Sequence, residues 1–188
     1  MKTLTLLRHA KSGWDDPAAR DFDRALNPRG KRAAAKMGQY LAENALGFDH
    51  VLASPAIRVV ETLDNLATTY PSLPSPEWER RIYLASAATL LDLVADVPDS
   101  VERLLLVGHN PGLEDVVLTL VPIDDDADGD SGELRLREEV EIKFPTASLA
   151  ELQLDCATWA DLGSAPATLT RFVRPRDLDP SLGPDEHD

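Results

Sequence analysis

Short apolar runs alternate with amphipathic stretches along the first 120 residues of this chain of 188 residues. Each apolar run has the length of a strand that is buried on both faces, and the stretches between them carry apolar residues at helical spacing. Strands that alternate with helices indicate an α/β fold with a mostly parallel sheet. The pattern predicts strands at 3–7, 50–53 and 104–107, and helices at about 28–46, 55–70, 85–97 and 112–120.

The last third of the chain shows weaker patterns. Residues 148–154 and 169–173 are predicted to form two more strands at an edge of the sheet. Residues 122–133 (PIDDDADGDSGE) are predicted to form a solvated acidic loop, because they lack the glutamate position and the flanking helices of a calcium-binding loop. We expect a single domain over residues 1–174 and a disordered tail, rich in proline and acid, over residues 175–188.

The formal net charge of −14 argues against sequence-independent binding to nucleic acid or to anionic lipid. The charge is unevenly distributed, because residues 8–36 hold eight basic and four acidic side chains, a local balance of +4. A basic region within an acidic protein can hold a small anion. For Lys31, Arg32 and Lys36 the alternative is an ordinary solvated helix face.

Composition also favours a soluble protein of a reducing compartment. No apolar run approaches the ~20 residues of a membrane-spanning helix, and the run at 4–7 is too short for a signal peptide. The single cysteine, Cys156, cannot form an internal disulfide. We therefore expect a cytoplasmic protein that does not bind membranes, and we expect a monomer.

Three polar clusters each directly follow a predicted strand. They are Arg8-His9, residues 54–58 (SPAIR, ending in Arg58) and residues 108–111 (GHNP, which contains His109). In open α/β sheets, ligands bind at the carboxyl ends of the strands. Parallel strands would bring the three clusters to one edge of the sheet, so that two histidines and two arginines share a pocket.

These residue types suit phosphoryl transfer. Arginine forks match the oxygens of phosphate. A histidine with a neutral ring nitrogen can attack phosphorus and form a covalent phosphohistidine, while a second, protonated histidine donates to the charge that develops on the oxygens. Such a site needs no metal.

Taken singly, each of these residues also has a structural explanation. A lone histidine after a strand is more often a loop or core residue, and Arg58 alone would more often be an ion-pair partner on a helix surface. Lys11 and Ser12 could simply cap a loop. Their coincidence at strand ends favours the catalytic interpretation. We assign no role to His50 and His187, which lack this context.

Three motifs, in this order along the chain, resemble a known family. The chain resembles the histidine phosphatase superfamily, which has the phosphoglycerate-mutase-like fold, in LLRHAKS near the N-terminus, SPAIRVVETL in the middle and LLLVGHNPGL later. More narrowly, RHAKSGW, LNPRG and GHNPGL resemble the SixA-type phosphohistidine phosphatases. The similarity spans residues 3–120, and FPTASLAEL with RFVRPRDL resembles the C-terminal end of the family. The resemblance implies a three-layer α/β/α fold with a mostly parallel central sheet.

The resemblance also implies roles for four residues. His9 would be the nucleophile that becomes phosphorylated, Arg8 and Arg58 would bind the phosphoryl oxygens, and His109 would complete the pocket. Lys11 and Ser12 stay outside this set. The implied substrate is a phosphorylated protein or a small phosphorylated molecule, with no cofactor and no metal.

The general acid of many superfamily members has no obvious counterpart here. Glu77 and Glu79 fall in no matching motif, and SixA-type enzymes similarly lack such an acid. Because general-acid help contributes about 100-fold or more, its absence favours a leaving group that needs little help, such as the imidazole of phosphohistidine. The short chain leaves little room for a lid, which suits a phosphorylated side chain on another protein.

Three alternatives stay open at this point. The protein could be a phosphatase of small phosphoesters or nucleotides, or a mutase, within the same superfamily. It could be a non-catalytic phosphate-binding module, although such a module could dispense with His9. A metallohydrolase that uses His9 and His109 lacks the His-x-His or His-x-Asp spacing of such sites.

Overall fold

A six-stranded sheet forms the centre of the molecule in a computed structural model that describes residues 1–14, 16–123 and 132–183. The strands are β1 (Lys2–Arg8), β2 (His50–Ala53), β3 (Glu77–Trp78), β4 (Arg103–Gly108), β5 (Leu149–Leu154) and β6 (Ala167–Val173). They follow the order β3-β2-β4-β1-β5-β6 across the sheet.

The sheet is mostly parallel, as predicted. β1 pairs in parallel with β4, β4 with β2, and β2 with β3. β5 runs antiparallel to β1, and β6 runs antiparallel to β5. Of the two strands expected at a sheet edge, β6 lies at the edge and β5 lies inside the sheet, between β1 and β6.

Helices cover both faces of this sheet, which gives the expected three-layer arrangement. Residues of β4 alternate between the two cores: Leu104 and Leu106 pack on one face, Leu105 and Val107 on the other, and all four are fully buried. The first face meets α3 (Ala87–Ala95), α4 (Gly112–Leu120) and α5 (Gly132–Ile142); the second meets α1 (Pro28–Glu43) and α2 (Ile57–Ala67). Burial on both faces explains the unbroken apolar run.

The N-terminus of α1 lies where the Asn-Pro pair predicts it. The side chain of Asn27 accepts a hydrogen bond of 2.8 Å from the backbone N–H of Gly30. The helix ends earlier than predicted, because Ala45 adopts the left-handed conformation (φ 52°) and the N–H of Leu46 donates back to the carbonyl of Leu41 at 3.0 Å.

Neither β3 nor α5 was predicted. β3 has only two residues, and both are exposed, so it has no periodic signal. α5 begins within the predicted acidic loop and is mostly charged; Val140 is buried, and so is Arg137, whose Nε donates to the carbonyl of Val121 at 2.7 Å. A helix with so few apolar positions shows little amphipathic pattern.

The C-terminal segment corrects the prediction of a disordered tail from residue 175. α6 (Pro175–Leu178) and a 3-10 turn (Pro180–Leu182) are ordered. Leu182 is buried against Ala33 and Ala34 of α1, and Arg29 donates to its carbonyl at 3.0 Å. The few apolar residues of this polar segment (Pro175 and Leu182, which are buried, and Leu178, which is half-buried) give too weak a signal to predict this packing. Residues 124–131 of the predicted acidic loop and residues 184–188 of the predicted tail lie outside the described residues.

Candidate active site

The ends of the parallel strands lie level at one edge of the sheet. Arg8 pairs with Gly108 across β1 and β4, and Ala53 pairs with Val107 across β2 and β4. The polar clusters that follow these strands therefore meet. The structure brings together Arg8, His9, Arg58 and His109, and we call these four residues the His9 pocket.

His9 has one protonated and one unprotonated ring nitrogen. Its Nδ1 lies 2.8 Å from the carbonyl oxygen of Ala10, which can only accept, so we assign the hydrogen to Nδ1. Nε2 is therefore unprotonated, and the Nε–H of Arg58 donates to it at 3.3 Å. His9 is only 7% exposed. A neutral imidazole held in this way can act as a nucleophile.

His109 has the opposite tautomer. Nη2 of Arg58 lies 3.3 Å from its Nδ1, and because a guanidinium can only donate, Nδ1 is the acceptor. Nε2 then carries the hydrogen and donates to Oγ of Ser54 at 2.9 Å. The rings of His9 and His109 lie 5.2 Å apart, measured between centroids. One guanidinium thus bridges two imidazoles.

Burial and positive charge keep both imidazoles neutral. Burial lowers the pKa of His9 from 6.5 to about 3; the hydrogen bond to Ala10 opposes this change, and His109 and the two arginines reinforce it. Burial, followed by the charge of Arg58, lowers the pKa of His109 to about 4. At neutral pH the lone pair of His9 is therefore available for attack.

Arg58 is fixed by two residues that the sequence analysis did not single out. Its side chain is 2% exposed, and its Nη1 and Nη2 donate to the carbonyl and the carboxylate of Asp21 at 2.5 and 3.1 Å. The hydroxyl of Tyr83 donates to the same carboxylate oxygen at 2.5 Å, and this hydrogen bond is the main reason that the pKa of Asp21 is lowered. The Tyr83 ring also meets the His109 ring edge-on. Asp21 and Tyr83 therefore orient Arg58.

Arg8 contributes a buried donor. Its Nη1 donates to the carbonyl of Phe144 at 2.7 Å. Its Nε is buried and has no hydrogen-bond partner within the part of the chain that the structure describes. A buried N–H without an acceptor is costly, and the oxygen of a bound anion would satisfy it.

The loop after β1 is held from two sides. The N–H of Ala10 donates to Oγ1 of Thr62 at 2.9 Å, and the N–H of Asn27 donates to the carbonyl of Lys11 at 3.0 Å. A Cβ on Gly30 would lie 2.1 Å from that carbonyl oxygen, so only glycine allows α1 to approach so closely. The LNPRG motif thus both caps α1 and allows it to pack against this loop.

Comparisons with known proteins agree with this arrangement. The family model described as histidine phosphatase superfamily (branch 1) matches residues 4–80. An uncharacterized protein of Mycobacterium tuberculosis is 35% identical over 171 residues, which cover 90% of this chain and 100% of that protein. A structure assigned as the phosphohistidine phosphatase SixA of Nakamurella multipartitia is 33% identical with a TM-score of 0.78, and the match covers 93% of this chain and 96% of that one.

The chain belongs to the histidine phosphatase superfamily. A second structure, assigned as the SixA of Agrobacterium tumefaciens, is 29% identical with a TM-score of 0.74 and covers 93% of this chain and 98% of that one. The superfamily resemblance and the phosphoglycerate-mutase-like α/β fold predicted from the motifs are confirmed. The matches also support a phosphatase function.

The other polar residues considered in this histidine phosphatase lie elsewhere. Glu77 pairs with His50 at 3.1 Å, and Glu79 pairs with Arg81 at 2.9 Å. Ser12 forms a backbone bridge with Leu26, and His187 lies outside the described residues. Within the described ranges, no three His, Cys, Asp or Glu side chains are grouped to hold a metal ion, and no helix is long and apolar enough to span a membrane.

Proposed function

We propose that this histidine phosphatase removes the phosphoryl group from phosphohistidine in another protein, through a covalent intermediate on His9. One observation carries the proposal. The lone pair on Nε2 of His9 is available at neutral pH, faces the guanidinium of Arg58 and lies beside the ring of His109. A nucleophile, a cationic clamp and a second imidazole are the groups that phosphoryl transfer through a phosphohistidine needs.

In the first step, Nε2 of His9 attacks phosphorus. A P–N bond to His9 forms while the P–N bond to the substrate imidazole breaks, and the electron pair of the broken bond stays on the substrate nitrogen. A phosphohistidine ring that is protonated on its other nitrogen then leaves as neutral imidazole. The ring of His9 becomes positive, and its Nδ1–H continues to donate to the carbonyl of Ala10, which stabilises that charge.

In the second step, water attacks the phosphorus on His9. The water oxygen forms the new P–O bond, the P–N bond breaks, and its electron pair returns to Nε2. Both hydrogens of the water leave with inorganic phosphate. His9 is thereby restored to the tautomer that the structure shows.

The phosphoryl oxygens would be bound in both steps by Arg8, Arg58 and His109. Arg58 donates to two imidazole nitrogens in the structure, and a phosphoryl oxygen is a stronger, charged acceptor for the same N–H groups. The buried Nε of Arg8 supplies a further donor. Negative charge beside His109 raises its pKa from about 4, so that a protonated Nδ1 can donate to the transferring group.

Two observations support phosphohistidine as the substrate. Of the glutamates considered as general acids, Glu77 contacts His50 and Glu79 forms an ion pair with Arg81, which suits a leaving group that departs as neutral imidazole. The relatives from Nakamurella multipartitia and Agrobacterium tumefaciens are both named as SixA phosphohistidine phosphatases.

A substrate comparison tests this proposal. A protein carrying phosphohistidine, an aryl phosphate and a sugar phosphate are offered separately, each with and without a strong chelator, to the wild type and to His9→Ala. We expect the phosphohistidine protein to have the highest kcat/KM, the chelator to have no effect, and His9→Ala to be inactive. Much faster cleavage of the sugar phosphate would contradict the substrate, and loss of activity in chelator would contradict a metal-independent mechanism.

A further inference from the structure

A cavity of about 280 Å³ lies beside the His9 pocket. Its walls come from the loop after β1, the N-terminal turn of α1, the segment between α5 and β5, and the residues around α6. Six basic side chains line this cavity, which we call the basic cavity: Arg8, Lys11, Arg29, Lys143, Arg174 and Arg176.

The charge of the basic cavity is the reverse of the charge of the whole chain. No acidic side chain lines it among the described residues, although Asp177 and Glu139 pair with Arg174 from outside the lining and the net charge of the chain is −14. Like charges that surround one concavity repel each other, whereas cations of a solvated helix face are spread over a convex surface. A concave surface with one sign of charge concentrates the field and attracts small anions.

Several of these cations are held in place by the fold. Arg29 donates to the carbonyl of Leu182 at 3.0 Å. Arg174 pairs with Asp177 at 2.9 Å and with Glu139 at 3.1 Å. Such contacts fix the walls of the basic cavity in advance and reduce the entropy lost when an anion binds.

Arg8 joins the basic cavity to the His9 pocket. It lines the cavity, and its charge is close enough to lower the pKa of both His9 and His109. Its Nη1 donates to the carbonyl of Phe144, and the next two residues, Pro145 and Thr146, form part of the cavity wall. Arg8 is therefore common to the His9 pocket and the basic cavity.

We propose that the basic cavity is a second anion-binding subsite, and that it holds a phosphate or carboxylate group that the substrate carries in addition to the phosphoryl group transferred to His9. The inference rests on the proposed function, because it describes the substrate of that reaction. The volume suits one acidic group with a few carbon atoms, and Pro145 and Leu182 offer apolar wall for those atoms. The second anion is either an acidic side chain beside the phosphohistidine or a second phosphate of a small molecule.

The test uses two pairs of substrates. The first pair is two peptides with one phosphohistidine each, identical except that one has glutamate and the other glutamine on both sides of it. The second pair is benzene-1,3-diol bisphosphate and phenyl phosphate. The double variant Lys143→Gln/Arg176→Gln removes two exposed cations of the cavity, and Lys31→Gln/Arg32→Gln removes two exposed cations of α1 that do not line it.

We expect the wild type to prefer the substrate with the second anion by about tenfold in kcat/KM in at least one pair. The higher kcat/KM should come mainly from a lower KM and not from a higher kcat, since the second anion is bound equally before and during transfer. The preference should weaken in high salt because Lys143 and Arg176 are exposed and the other cations of the cavity are only half-buried. The preference for the second anion should fall to about threefold or less in Lys143→Gln/Arg176→Gln, the cavity double variant. It should be retained in Lys31→Gln/Arg32→Gln, the control double variant. A preference in the peptide pair alone identifies an acidic protein segment, and one in the aryl pair alone identifies a small bisphosphate.

Two results would overturn the subsite. One is equal kcat/KM for both members of both pairs, and the other is a preference that the cavity double variant leaves unchanged. If no substrate is turned over, the proposed function fails, and the cavity is tested by calorimetric titration of inorganic pyrophosphate. Weaker pyrophosphate binding in the cavity double variant than in the control would still support an anion site, and equal binding would dismiss it.

Discussion

The His9 pocket and the basic cavity use the same kind of side chain but differ in burial. In the pocket, Arg58 is 2% exposed and bonded to Asp21, and both imidazoles are buried. In the cavity, Lys143 and Arg176 are exposed. The two regions meet at Arg8.

This difference separates two tasks. Charges that are buried and fixed interact strongly with a group that changes charge during a reaction, because little solvent screens them. Exposed cations are screened and contribute modestly, so they can select among ligands without dominating the chemistry. We therefore expect substitutions in the pocket to reduce the rate by orders of magnitude, and substitutions in the cavity to change substrate preference.

The largest effect is expected for His9→Ala. Removing the nucleophile should lower kcat by about 10⁴-fold or more, because the covalent intermediate can no longer form at position 9. Steady-state assays with the preferred substrate measure this, with Arg32→Ala on the exposed face of α1 as the control. Activity within tenfold of the wild type would refute the assignment of the nucleophile.

The next effect is expected for Arg58→Gln. Loss of the guanidinium should lower kcat/KM by about 100- to 1,000-fold and weaken competitive inhibition by vanadate, because the same N–H groups bind the oxygens of both. Inhibition constants and kcat/KM are measured together. If vanadate inhibited this variant as strongly as the wild type, Arg58 would not be part of the oxyanion clamp.

A smaller effect is expected for Asp21→Asn. The amide still fills the site but removes the charge that orients Arg58, so we expect kcat to fall by about tenfold. Asp23→Asn changes an exposed acid of the 3-10 turn Asp21–Asp23, which also contains Asp21, and should have no effect. Equal activity of the two variants would show that Asp21 does not position Arg58.

The smallest effect concerns stability against pH. The folded pKa values of His9 and His109, about 3 and 4, lie below the unfolded value near 6.5, so below pH 6.5 the unfolded chain binds more protons. The free energy of unfolding should therefore fall, by about 1 kcal/mol for each histidine, between pH 7.5 and pH 5.5. Denaturant unfolding at both pH values should show a smaller fall in His9→Gln than in the wild type. An equal fall in both proteins would mean that His9 titrates normally in the folded state.

The sequence was most informative where an apolar run ends in polar residues. Residues 50–53 form β2 as predicted, and the clusters after β1, β2 and β4 meet because parallel strands end at one edge. The pairing of His9 with Arg58 and His109 follows from that topology. This part of the site was predictable from local patterns.

The other features of the site and the basic cavity depend on contacts between segments that are distant in sequence, which no local pattern encodes. Asp21 reaches Arg58 from a short 3-10 turn far away in sequence, and the tautomer of His9 depends on the orientation of the carbonyl of Ala10. The basic cavity combines Lys11, Lys143 and Arg174, and it exists only because the segment after β6 packs against α1. That segment was predicted to be disordered, so the cavity could not have been expected.

The most direct test is to trap the phosphoryl group on the enzyme. The protein is mixed with a phosphohistidine donor, quenched within milliseconds to seconds, digested at alkaline pH and examined by mass spectrometry. We expect an acid-labile phosphoryl group on His9 in the wild type and none in His9→Ala. Phosphate release with the label on His109, or with no labelled histidine at any time point, would contradict the covalent mechanism.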